Sequence, residues 1–97
     1  MNANYQALDV LENGNKWTKN VMEDGVGNRC MIGAMCSVGC MYTREVNDVI
    51  EDLYPERVVS RQRYKAIIPH FNDHPLTTFE DVRVVMEKAA ARLDEQV

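Results

Sequence analysis

Apolar positions along this chain recur at intervals of three and four, the spacing that lines side chains along one face of an α-helix. Ala7, Leu8 and Leu11 do so over roughly Ala3–Asn13. Asn13-Gly14 then supplies a stop, because glycine takes the left-handed conformation at little cost. Val46, Val49, Ile50 and Leu53 follow Thr43, which reads as an N-cap. Tyr54-Pro55 ends that helix, since a residue before proline avoids the helical region. Tyr64, Ile67, Ile68 and Phe71 repeat the pattern behind a candidate cap at Ser60. Pro69 lies inside this stretch and is expected to kink or shorten the helix. The last stripe is the longest: Phe79, Val82, Met86, Ala89, Ala90 and Leu93, with Arg83, Glu87, Lys88 and Arg92 on the opposite side. Thr77-Thr78-Phe79-Glu80 ahead of it fits a capping box, with Glu80 reaching back to the Thr77 amide.

Two stretches behave differently. Helical periodicity fails over Asn15–Gly27, so Trp17 and Val21-Met22 are expected to fold back onto the core from a loop or a short extended piece. The next segment, Asn28–Cys40, holds all three cysteines, and Asn28 reads as the N-cap of a helix over roughly Arg29–Cys40. β-Branched residues are scattered at helical spacing and never alternate in runs. The fold class that follows is all-α: a compact bundle of about five short helices in one domain spanning 1–97, with room for a short extended pair around Trp17.

Composition narrows the function classes. At 45% apolar and 27% charged, the chain has enough for one core and an ordinary polar surface. A net charge of −4 argues against a nucleic-acid backbone binder and against an anionic membrane surface. No apolar run approaches the about 18 residues a spanning helix needs. The first residues lack the basic and apolar regions of a secretory signal, so the expected location is the cytoplasm. Three cysteines cannot form a complete disulfide set, and in a reducing compartment they are expected as free thiols, which commonly pack as small apolar groups.

Three constellations carry candidate chemistry. Cys30 is expected in the first turn of the second helix, where a thiolate is favoured; with His70 as base and Asn72 or Asp73 as orienter it has the parts of a cysteine nucleophile. His70 and His74 are four apart with Asp73 beside the second, a spacing similar to H-x-x-E-H zinc motifs with Asp in place of Glu. Asn72-Asp73-His74-Pro75 reads as a turn, however, and no third ligand is signalled, so neither metal nor cofactor is assigned. Gly33, Ala34, Cys36 and Ser37 form a small-residue strip on which another helix is expected to pack closely. Asp73 is expected to bond amides of the Leu76-Thr77-Thr78 turn. Asp48, Glu51, Asp52, Asp94 and Glu95 give an acidic face suited to a basic partner.

Taken in order, Trp17, Asp24-Gly25, Cys30-Met31-Ile32-Gly33-Ala34, Phe71-Asn72-Asp73, Thr78, Asp81-Val82 and Ala89-Ala90 resemble a small domain family of actinobacteria and their bacteriophages. Its pattern is a Trp, a C-x-x-G-A segment, a W-N-D turn and a D/E-V helix. This chain departs from it in having Phe71 at the second aromatic. The resemblance implies Trp17, Cys30, Gly33, Ala34, Asn72 and Asp73 as structural signature residues, and it brings no assigned activity. His70 and His74 lie outside the signature. The expected function is therefore binding to another protein, such as modulation of a host protein by a phage, or self-association; the alternative is a cysteine-dependent enzyme using Cys30 and His70.

Overall fold

The computed structural model describes residues 2–39, 43–57 and 64–95, the side chains of 64–66 excepted. Five α-helices account for the architecture: α1 Ala3–Val10, α2 Met31–Ser37, α3 Thr43–Leu53, α4 Tyr64–Asp73 and α5 Phe79–Glu95. The all-α class is as the periodicity predicts. The long α5 packs against both α1 and α3; α2 lies against α1 and α4, and α3 against α4. Their facing stripes close one core, with Ala7, Leu11, Met35, Ile50, Phe71 and Met86 at its centre. Leu53, expected to continue the α3 stripe, is 40% exposed, because the helix ends there and Tyr54-Pro55 turns the chain away.

The helix ends show where local chemistry overrides simple pattern. Asn2 caps α1: its Oδ1 accepts the Asn4 and Tyr5 amides at 3.0 and 3.4 Å. Its Nδ2 donates to the Ala90 carbonyl and to Asp94, each at 2.8 Å, which ties the start of the chain to α5. After α1 a short 3₁₀ turn, Glu12–Gly14, reverses the chain, and Gly14 takes a φ of 94° as expected. α3 begins at Thr43 itself, so Thr43 is its first residue and not its cap.

α4 runs through Pro69 unbroken to Asp73. Proline removes one intrahelical bond, and the burial of Ile67, Ile68 and Phe71 around it outweighs that loss. Ser60 and Cys40 lie outside the described residues. The α5 capping box sits one residue later than expected: Thr78 Oγ1 accepts the Asp81 amide at 3.4 Å, and Asp81 Oδ2 accepts the Thr78 amide at 3.2 Å. Glu80 pairs with Arg83 on the outer face instead. Thr77 is buried and accepts a bond from Arg57.

Among the described residues there is no strand. The extended pieces near Trp17 are two isolated bridges, in which Arg29 pairs in parallel with Trp17 and antiparallel with Glu23. No helix among the described residues is long and apolar enough to cross a membrane.

Candidate functional site

The loop from Trp17 to Cys30 carries the features that set this molecule apart, and its shape follows from how it is pinned. Asn72, near the end of α4, has no solvent exposure. Its Oδ1 accepts the Trp17 indole N–H at 2.7 Å and the Met31 amide at 3.1 Å. Its Nδ2 donates to the Thr18 carbonyl at 3.1 Å and to Asp73 at 2.9 Å. All four hydrogen-bonding positions of the amide are used, as a buried polar side chain requires. Asp73 Oδ1 also accepts the Asn20 amide at 2.7 Å, which holds Asn20 in the left-handed region at φ 72°. Lys19 donates to the His74 carbonyl at 2.8 Å and lies over the Trp17 ring. Trp17 packs in turn on Phe79, with ring centroids 6.0 Å apart.

Farther along the loop, Asp24 closes a tight turn. Its carboxylate accepts the Val26 and Asn28 amides at 3.0 and 2.9 Å and the Asn28 side chain at 2.7 Å. These bonds, the Asn28 side chain foremost, hold the carboxyl below its ordinary range. Asn28 is therefore committed to Asp24 and does not cap α2. The cap is Cys30, whose Sγ accepts the Gly33 amide at 3.4 Å, so Cys30 precedes the first helical turn.

Gly33 is the second pin. A β-carbon there would lie 1.9 Å from the Met22 carbonyl oxygen. At Gly33 itself the close approach is made by the backbone of the loop. That same Met22 carbonyl accepts the Cys30 amide at 3.3 Å. Ala34 faces the core, whereas Cys36 and Ser37 are exposed.

Held this way, the loop turns apolar side chains outward. Val21 is 46% exposed, Met22 52% and Val26 74%, contrary to the expectation that Val21-Met22 folds inward. The backbone on either side of Val21 is fixed, the Asn20 amide donating to Asp73 and the Met22 carbonyl accepting the Cys30 amide. A cleft of about 180 Å³ runs under Val21 and Met22, with Cys30, Ile32, Pro69 and Asp73 among its walls. A second, of about 350 Å³, lies across Pro69 and Asp73 and includes His70, His74 and Pro75.

The candidate nucleophile set lies around two neighbouring clefts that share Pro69 and Asp73. Cys30 lines the first cleft and His70 the second, and no hydrogen bond joins them. Asp73 spends its Oδ1 on Asn20 and Asn72. The Leu76 amide expected on Asp73 is donated to His74 Nδ1 at 3.1 Å. Among the described residues no group of three or more His, Cys, Asp or Glu is placed to hold a metal ion. On the acidic face, Asp52 pairs with Arg92 at 2.7 Å and Asp94 is bonded to Asn2.

One cluster gave no signal in the sequence. Arg57 Nη1 donates to Asp81 at 2.6 Å, its guanidinium stacks 4.5 Å over the Tyr54 ring, and Tyr54 donates to Asp81 at 3.3 Å. Burial pushes the Asp81 carboxyl up, but Arg57, the Thr78 amide and the Tyr54 hydroxyl outweigh it and hold it below its ordinary range. Burial and the Asp81 charge push the Tyr54 phenol up. The cluster fastens the α3–α4 connection to α5 and lies apart from the loop.

No curated protein and no solved structure matches the chain. A protein-family model does, over residues 5–92, a span that takes in α2, α3 and α4 whole, most of α1 and α5, and every residue of the pinned loop. The chain belongs to DUF6197, a family of unknown function.

Proposed function

We propose that this protein is a binding module that engages another protein through the outward apolar side of the 17–30 loop and the cleft beneath it. The observation that carries this reading is the exposure of Val21, Met22 and Val26 on a loop whose backbone is fixed at both ends. Single exposed apolar residues are ordinary; three large ones within six positions on a pinned segment form a contact surface ordered in advance. Ordering before contact lowers the entropic cost of association. The net charge of −4 favours a basic partner.

In its fuller form the proposal has the chain encoded by an actinobacterium or its phage, acting in the cytoplasm and modulating a host protein. Position among early lytic genes supports that form; a place in a metabolic operon counts against it.

The direct test is affinity capture from lysate of the native host, comparing the wild-type chain with Val21→Asp/Met22→Asp. The expected result is a stoichiometric partner retained by the wild type and lost by the variant, with circular dichroism unchanged. A partner retained equally by both, or none recovered at all, refutes the reading. Size-exclusion chromatography with light scattering separates a foreign partner from a second copy of the chain.

A further inference from the structure

Asn13-Gly14 is the dipeptide in which a backbone nitrogen most easily reaches a side-chain amide carbon, because glycine offers no steric hindrance to ring closure. Here the pair sits at the reversal after α1. Asn13 is exposed, with φ 56° and ψ 29°, and Glu12 and Gly14 beside it also have positive φ. Gly14 is held on two sides. Its N–H donates to the Leu11 carbonyl at 2.9 Å. Its Cα is pressed against Phe79, whose Cγ lies 2.9 Å from where a β-carbon would stand.

We infer that Asn13 is a self-modification site gated by the Phe79 contact: closed while Gly14 is seated, open when that corner releases. In the open state the Gly14 nitrogen gives up its proton and bonds to Asn13 Cγ. The Cγ–Nδ2 bond breaks, and ammonia leaves with that proton. The resulting cyclic imide is opened by water at either carbonyl, giving an aspartate or an isoaspartate at position 13. The net change is consumption of one water and loss of one ammonia.

In the seated state the nitrogen is committed to Leu11 and its peptide plane is fixed, so closure waits on local opening. Either product adds a negative charge beside Glu12 at the carbonyl end of α1, whose last turn has no basic residue. Isoaspartate also lengthens the main chain by one carbon, which keeps Gly14 from reseating. Because the ammonia is lost to solvent the modification is one-way, and it loosens the corner on which Trp17 rests.

The test is peptide mapping by mass spectrometry of the full-length chain held at 37 °C in mildly alkaline buffer. The native protein is compared with the protein in concentrated urea and with Phe79→Leu, verified as helical by circular dichroism; Asn13→Gln identifies the site. The expected result is a mass gain of about one dalton at Asn13 that is at least about tenfold slower in the native protein than in urea, with Phe79→Leu between them. If Phe79→Leu does not fold, Trp17→Phe takes its place. Equal rates in native buffer and in urea overturn the inference, as does a folded variant that reacts no faster than the wild type.

Discussion

Replacing Asn72 with alanine tests whether one side chain holds the loop. The change removes the acceptor for two donors, the Trp17 indole N–H and the Met31 amide, and the donor for the Thr18 carbonyl. The Met31 amide is fully enclosed, so stranding it costs about 1–3 kcal/mol. The Trp17 bond is half-buried and worth less, about 0.5–1.5 kcal/mol. Together the expected loss is about 3 kcal/mol, a large share of the ~5–15 kcal/mol that stabilises a typical domain. Urea unfolding followed by fluorescence of Trp17, the single tryptophan, measures it directly. Asn72→Asp is the informative companion. It keeps an acceptor for both donors but replaces the Nδ2 donor with a carboxylate oxygen facing Asp73, so its deficit should shrink as acid neutralises the pair. A loss below about 1 kcal/mol for Asn72→Ala, with an unchanged denaturant slope, would falsify the claim that this network fixes the loop.

The remaining expectations can be checked on the same protein. Gly33→Ala, which by helix propensity alone gains about 0.5–1 kcal/mol, should instead lower the melting temperature, because the added carbon meets the Met22 carbonyl; an unchanged or raised temperature rejects that contact. Asp81 has a depressed folded pKa, so its contribution is complete above the ordinary aspartate value of 3.8 and is lost as pH falls through the folded value. Chemical unfolding across that acidic range should show a smaller pH-dependent loss for Asp81→Asn than for the wild type. Iodoacetamide should label Cys36 in the native protein and Cys30 only after unfolding. Rapid native labelling of Cys30 would favour the nucleophile reading.

The helices were largely legible because each carries its own stripe: Val82, Met86, Ala89 and Leu93 need only their spacing to announce a buried face. The caps were less so. Thr77 and Thr78 both qualify by residue type, and only burial of Thr77 against Arg57 settles which one caps α5. Asn28 was a reasonable cap until Asp24 claimed it, a competition between two local hydrogen-bonding motifs that sequence order does not rank. The loop was the hardest part. Its conformation is set by Asn72 and Asp73, more than fifty residues away, and nothing near Trp17 names that partner.

The pins on the loop also constrain the order in which the chain can assemble. Four hydrogen bonds between residues 17–20 and 72–74 each span 53 to 55 residues. Before α4 docks, none of them exists, and the entropy of closing so long a segment has yet to be overcome. α2, with seven residues, is too short to persist alone, and its Met31 amide waits for Asn72. The loop and α2 thus belong to the late phase of folding, and any surface they present becomes available only once the rest of the molecule is in place.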